Sequence, residues 1–374
     1  METMRFFADA SSKLFNPQIE AWKNSGKPVV GFSCTSIPEE ILHAAGLLPV
    51  RLRAYDLSDT SLADAEMHRI VCSYSRAMLN LQLAGDLDFL DGLVVTNTCD
   101  HHLRLAAQLE DKSDYPFFHY FSMYHSLTDG GKEWFRAETE KLIEQIEVSF
   151  NITITKEDLR QTIFDYNQSR QLLSQLNELR KNDPAPLSGS EYLQVVTAGM
   201  SMPKEIFIEH LEQLLLELEN KQSEDSGQPR LLIRGGACDS PAFVNFIESK
   251  GASVVADDSC FGLRYVQGLM DEGTDDPLGS IVDRYFDRVS CPSVIDGHEP
   301  RLAHIKTVID EWNIQGVVNA RIKFCDHWAG AGWMLKDSLS QSANKVPVLD
   351  LEREYNTDGS GQISTRLQAF LELL

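Results

Sequence analysis

Seven cysteines stand in this 374-residue chain, and five of them follow directly on a short apolar run. Val29–Val30 with Gly31–Phe32 precedes Cys34, Leu93–Val95 precedes Cys99, Leu231–Ile233 precedes Cys238, Val254–Val255 precedes Cys260, and Val317 to Phe324 precedes Cys325. Each run reads as a buried parallel strand, and in open α/β sheets ligands bind beyond the carboxyl ends of the strands. The thiols are therefore expected to share one edge, where they could converge on one inorganic group. Iron–sulfur clusters require such thiolates, and a tetrahedral zinc ion is the competing metal. No two of the seven are closer in sequence than Cys238 and Cys260, 22 positions apart. A Cys-x-x-Cys loop is thus absent, and any site must be assembled by the fold. Taken singly, each cysteine also reads as a small core residue.

The elements that must position these thiols come from an internal duplication. Lys27 to Val50 runs strand, Cys34, Ser36-Ile37-Pro38, helix, Gly46; Pro229 to Val255 runs strand, Cys238, Asp239-Ser240-Pro241, helix, Gly251, strand. Ser followed by Pro suits a helix start, and Gly suits its end. Asp88 to Gly92 leads through a strand to Cys99-Asp100-His101, and Trp312 to Gly316 leads through a strand to Cys325-Asp326-His327. A further matched strand follows in each half, around Tyr115–Phe118 and Val346–Leu349. The fold class is α/β, with two Rossmann-like parallel-sheet units. The expected division is 1–26, an N-terminal helix packed on the first unit; 27–135, the first α/β domain; 136–226, a helical connection; and 227–374, the second α/β domain. Within the connection, Glu138–Phe150, Lys156–Leu179 and Pro203–Leu218 carry helical periodicity, and 220–228 reads as a linker.

Composition narrows the partners. A formal charge of -22 disfavours nucleic acid, and 43% hydrophobic residues indicate a globular chain. No run approaches the roughly 20 apolar residues that span a bilayer, and the N-terminus has no export pattern, so the expectation is a cytoplasmic protein with reduced thiols. Glu39 and Glu40 read as first-turn carboxylates complementing a helix dipole, and Asp100 and Asp326 as helix caps. His101, His102 and His327 stand beside candidate ligands and could donate to sulfur or relay protons. Arg264 reads either as a charge facing a cofactor or as a packed surface residue.

The motifs Gly31-Phe32-Ser33-Cys34-Thr35-Ser36-Ile37-Pro38-Glu39-Glu40, Cys72-Ser73-x-x-Arg76, Asn97-Thr98-Cys99-Asp100, Asp257-Asp258-Ser259-Cys260-x-Gly262-x-Arg264-Tyr265, Cys291-Pro292 and Lys323-Phe324-Cys325-Asp326 carry a resemblance. From Lys27 to Tyr355 the chain resembles the 2-hydroxyacyl-CoA dehydratase D components, a family that includes class I benzoyl-CoA reductase subunits and double-cubane-cluster reductases. The resemblance implies two flavodoxin-like domains with an oxygen-sensitive iron–sulfur cluster in the cleft between them. It also implies a separate ATPase activator, carrying its own 4Fe-4S cluster, as electron donor. In the dehydratase branch three cysteines hold a 4Fe-4S cluster, and one electron forms a ketyl radical that expels the substrate hydroxyl. In the double-cubane branch six cysteines hold an 8Fe-9S group. Cys72, Cys99 and Cys325 match the common ligands, with Cys34, Cys260 and Cys291 as the added three. The duplication leaves Cys238 as a rival to Cys260. His101, His327 and Arg264 are the candidate catalytic residues.

The surplus of thiols favours the double-cubane reductase of small molecules. The alternatives are a dehydratase or benzoyl-CoA reductase subunit, with a CoA thioester as substrate, and a noncatalytic structural subunit. The protein is expected to pair with a second copy of itself or a related subunit. ATP is expected on the activator, because Gly235-Gly236 lacks the Gly-Lys-Ser/Thr continuation of a phosphate-binding loop.

Overall fold

The computed structural model describes residues 1–54, 57, 59–219, 227–342, 345–355 and 361–374. Most of the expected linker at 220–228 therefore lies outside the described residues. Eight strands form two four-stranded sheets: β1 Val29–Phe32, β2 Leu48–Arg51, β3 Gly92–Thr96, β4 Phe117–Phe121, β5 Arg230–Arg234, β6 Ser253–Asp258, β7 Gly316–Ile322 and β8 Val348–Arg353. The spatial orders are β2-β1-β3-β4 and β6-β5-β7-β8, with every pairing parallel. Both sheets therefore share one flavodoxin-like winding, as the duplication requires.

Alternation within the strands assigns their residues to two covered faces. Val29, Leu93 and Val95 enter one cluster of the first sheet while Val30, Phe32 and Val94 enter the other. Leu231, Ile233 and Val318 face one side of the second sheet and Leu232, Val255 and Val317 the opposite side. Burial on both faces is what makes these strands uniformly apolar, without the polar alternation of a one-sided sheet. The expected glycine stops hold: Gly46 and Gly251 adopt φ of +72° and +90° after their helices, a region costly for residues with a Cβ.

The helical connection comprises Asp129–Phe150, Lys156–Arg180, Gly189–Gly199 and Lys204–Glu219. Thr155 and Asp158 form the capping box of the second. The third has its own box, Ser188 with Glu191, and was not foreseen from periodicity. The N-terminal segment departs from expectation. Asn16 accepts from the backbone of Gln18 and Ile19, and Pro17 opens a new helix, so residues 1–26 hold two helices, Glu2–Ser12 and Pro17–Asn24. The first packs Met4, Phe7 and Ala10 among the connecting helices and the second sheet's core, and only the second joins the first sheet, through Ile19. No helix among the described residues is long and apolar enough to cross a membrane.

Two polar contacts fix the halves against each other. The first centres on Glu40, which is wholly buried, pairs with Arg170, lies 4.0 Å from Arg284 and accepts from the Tyr285 hydroxyl at 2.7 Å. Its neighbour Glu39 accepts from Tyr166 at 3.2 Å and lies 3.9 Å from Lys204. Both carboxylates stand in the first turn of the Glu39–Ala44 helix, as expected, and also enter a buried charge network because that helix packs against the long Lys156–Arg180 helix. In the second contact, Tyr355 donates to Asp239 at 2.6 Å through its hydroxyl, accepts there from the Ala54 backbone at 2.9 Å, and donates its own N–H to Ser73 at 2.7 Å.

Burial alone would push the Glu40 carboxyl up, but Arg170 and Arg284 outweigh it and hold it at about 2 against an ordinary 4.5. This stabilisation is complete above pH 4.5 and is lost as the pH falls toward 2. Glu40→Gln should leave two guanidiniums buried without an anion and cost about 3–5 kcal/mol in urea unfolding. An unchanged midpoint would show that the network carries no net stability.

Candidate functional site

β1 and β3 lie adjacent while their connections run to opposite sides, so the first sheet opens a crevice at that switch point; β5 and β7 do the same in the second. Cys34 follows β1, Cys99 follows β3, Cys260 follows β6 and Cys325 follows β7. Cys72 sits at the start of the Ser73–Leu83 helix, and Cys291 in the loop before His298–Glu311. These six line one cavity with about 720 Å³ of empty space, part of it open to solvent, together with Arg51, Tyr74, His101, His102, Arg264, His327 and Trp328. All seven cysteines are free thiols.

The seventh, Cys238, is elsewhere. After β5 the chain turns through Gly235 at φ +155° and Ala237 at φ +47°. A Cβ on Gly235 would stand 2.0 Å from the Ala320 carbonyl, so the turn is pressed onto β7 and demands glycine. The result drives Cys238 into the second sheet's core, where Sγ donates to the Ala320 carbonyl at 3.8 Å, and leaves Gly236 and Ala237 to face the cavity. The sequence duplication between Cys34 and Cys238 is therefore not a duplication of position.

The six cavity thiols fall into two overlapping neighbourhoods. The Cys99 thiol feels those of Cys72, Cys325 and Cys291, and the Cys325 thiol feels Cys72 and Cys291. The Cys260 thiol feels Cys34 and Cys291, and these three also line an adjoining hollow of about 530 Å³ beneath Tyr285 and Arg288. Burial pushes the Cys72, Cys99 and Cys260 thiols up, and Cys325 to about 12. Arg264 and Arg51 act in the opposite sense on Cys260. Without a bound cation Cys72, Cys99, Cys260 and Cys325 hold their protons.

The caps at the two Cys-Asp-His sequences differ from expectation. Cys99, not Asp100, occupies the cap position, and its sulfur accepts from the His102 N–H at 3.4 Å. Cys325 takes the equivalent place before Asp326. The aspartates are first-turn residues, and Asp100 reaches solvent to pair with Arg104 at 2.9 Å. Starting a helix at the thiol aims the positive end of the helix at sulfur, a favourable setting for a thiolate. Phe324, just before Cys325, holds φ of +67°, a strained value for an aromatic residue, and is 41% exposed.

His101 and His327 line the cavity half-buried, and burial lowers both, so they are neutral near pH 7. His101 Nδ1 accepts from the Cys72 backbone at 3.3 Å, which places its proton on Nε2. His102 is partly buried, and desolvation together with Arg51 holds it at about 4. Its Nδ1 lies 3.6 Å from the Cys99 sulfur. Arg264 is no surface residue: it is 6% exposed, 3.5 Å from Asp258 and over the Trp328 ring at 5.2 Å. Arg51 and Trp328 were missed by sequence reading. Arg51 ends the apolar run Leu48-Pro49-Val50 at the same edge as the thiols, and that position was the available signal.

Because burial keeps the Cys99 and Cys325 thiols protonated, alkylation of metal-free protein by iodoacetamide at pH 8 should modify these two far more slowly than a free cysteine near pKa 8.5. Peptide mapping by mass spectrometry reads this, and rapid labelling at those two positions would refute the neutral-thiol description.

The 2-hydroxyglutaryl-CoA dehydratase D-component family model matches residues 34–374. A provisionally named dehydratase subunit, YjiM, of Escherichia coli (strain K12) is 28% identical, over 94% of this chain and 93% of its own. The (R)-phenyllactyl-CoA dehydratase beta subunit of Clostridium sporogenes is 23% identical over 99% of each chain. A benzoyl-CoA reductase subunit from Thauera aromatica is 25% identical, over 91% of this chain and 89% of its own. With a family match that begins just after β1 and takes in the other seven strands and all six cavity cysteines, the chain belongs to the 2-hydroxyglutaryl-CoA dehydratase D-component family and is a component of the 2-hydroxyacyl-CoA dehydratase and benzoyl-CoA reductase type.

Proposed function

We propose that the six cavity thiols hold an iron–sulfur group and that the protein is the cluster-bearing component of a low-potential, double-cubane reductase acting on small molecules in the cytoplasm. The observation that carries this reading is the convergence of six thiols on one cavity, three of which, Cys34, Cys260 and Cys291, also line an adjoining hollow; Cys72, Cys99 and Cys325 would form the other set. The donor set suits the group chemically, since thiolates are the usual ligands of iron–sulfur clusters. Among the described residues no three His, Cys, Asp or Glu side chains close around one point. A lining spread in this way fits a polynuclear group better than one tetrahedral zinc, whose sulfur ligands stand about 2.3 Å from the metal.

Such a group, when bound, supplies single low-potential electrons. The chain's own residues do the rest. Trp328, Ile322 and Tyr74 wall the cavity with apolar surface and limit water. His101 and His327, neutral and at the cavity lining, can give or take a proton at Nε2 of His101 or on the His327 ring. Arg264 offers a fixed positive charge to an anionic cofactor or substrate. Electrons are proposed to come from an ATPase activator with its own 4Fe-4S cluster. Gly235-Gly236 is a turn clamped onto β7 and not a phosphate loop, which supports placing ATP on another protein.

The names of the relatives favour a second reading. The beta subunits of (R)-phenyllactyl-CoA, (R)-2-hydroxyglutaryl-CoA and lactoyl-CoA dehydratases are similar along nearly the whole chain. On this reading Cys72, Cys99 and Cys325 alone hold a 4Fe-4S cluster, the substrate is a CoA thioester, and the protein pairs with a related subunit rather than a second copy of itself.

Anaerobic purification with iron and acid-labile sulfide analysis separates these readings. The expected protein is brown, bleaches in air and holds about eight irons per chain; about four would favour the dehydratase subunit, and iron-free protein from an iron-replete host would refute both. Cys99→Ala or Cys325→Ala should remove most iron while the far-ultraviolet circular dichroism stays unchanged. Cys238→Ala should keep it, and full iron in the first two variants would exclude them as ligands. Turnover with dithionite and ATP should stay near background until the activator is added.

A further inference from the structure

A guanidinium without a carboxylate stands among the thiols. Arg51 is 2% exposed. Among the described residues it meets no acidic side chain: one nitrogen donates to the Leu52 carbonyl at 2.8 Å and to the Tyr74 hydroxyl at 3.0 Å, and Nε has no partner. The Phe261 ring lies 5.0 Å from its centre. A buried cation is strongly disfavoured unless an anion faces it. Three other buried arginines have such a partner, Arg170 with Glu40, and Arg234 and Arg264 with Asp258, whereas Arg353 is satisfied by the backbone carbonyls of Ala237 and Tyr355. Arg51 lines the cavity together with Tyr74, Cys34, His102 and Cys260, and the buried Asp239 carboxyl feels its charge without pairing with it.

We infer that Arg51 is the fixed countercharge of an anionic group bound at Cys34, Cys260 and Cys291. This rests on the proposal that these thiols hold an iron–sulfur cluster. A cluster on thiolates is anionic and gains one more negative charge on reduction. A positive charge a few ångströms away in a dry setting favours the reduced state, so Arg51 raises the reduction potential of the half of the site it faces. Arg51 is a positioning and electrostatic residue, and it need not touch substrate. Its guanidinium is held by the Leu52 carbonyl and the Tyr74 hydroxyl, the Tyr74 ring packs edge-on to Tyr355 at 5.1 Å, and the Arg51 backbone N–H donates to the Met200 carbonyl at 3.0 Å.

The test uses the full chain, prepared anaerobically as wild type, Arg51→Gln and Arg51→Lys, with iron and sulfide analysis, circular dichroism and a redox titration followed by electron paramagnetic resonance. The expected result is a lower midpoint potential in Arg51→Gln for at least one reduction step, with Arg51→Lys close to wild type. Loss of iron in Arg51→Gln that Arg51→Lys restores would equally support the countercharge. Unchanged potential in a fully loaded Arg51→Gln protein would overturn the inference while leaving the cluster reading intact. Failure of both variants alike, in folding or in iron retention, would show that Arg51 acts through its shape and would also overturn it. Wild-type protein that takes up no iron and sulfide would overturn the cluster reading itself, and this inference with it.

Discussion

The site depends on one buried carboxylate. Glu40 lies at the base of the loop that carries Cys34, and its partners come from two distant parts of the chain, Arg170 on the long connecting helix and Arg284 with Tyr285 on the Pro277–Asp287 helix. The second of these helices leads into the loop of Cys291, where Arg288 donates to the Thr35 carbonyl. Cys34 and Cys291, far apart in sequence, are thus held to one another through charge. Desolvating such a pair is unfavourable on its own, and the compensation comes from three partners converging on one carboxyl group. A hydrophobic contact would bury comparable area with less definition of direction, and a set of six thiols needs direction.

The other half of the problem is the junction of the two sheets. Ile322, Ala237 and Tyr355 from the second unit lie within the apolar cluster of the first, so the two sheets share core across the cavity and do not merely face each other. Tyr355 anchors the contact at its hydroxyl and its backbone N–H at once. Cys72 follows from this arrangement: Ser73, next to it, is the acceptor for Tyr355, so docking of the second unit fixes the entry of the helix that presents the thiol.

The parallel sheets, the capping box at Thr155 and the turn glycines were legible because each rests on short-range chemistry: apolar strands, a hydroxyl before a helix, a φ that only glycine takes easily. The strand-end thiols were legible because topology places strand ends together. The failures have a common cause. Ser36 resembles the capping Ser240 in sequence, yet it makes no cap: the Glu39–Ala44 helix begins after Pro38, and its first-turn glutamates are held by buried partners from other helices. Cys238 resembles Cys34 in sequence but is turned inward by a glycine pressed onto β7. Arg264 and Arg51 look like surface charge until the partner sheet is in place. In these cases the deciding neighbour lies far along the chain, beyond the reach of periodicity or local motif.

The wide separation of the six cavity thiols also has a consequence for biogenesis. They span the chain from Cys34 to Cys325, and each of the two sets draws on both halves. During synthesis the first sheet can form while the second is still being made, but the cavity is not complete until Cys325 and the Tyr355 anchor have emerged. Any group that needs all of these sulfurs must therefore be delivered to a nearly finished protein, through a cavity mouth that is already formed. On the proposed reading, loading would be a late, post-folding event, and whatever supplies the group would meet a folded surface and not a stretch of nascent chain.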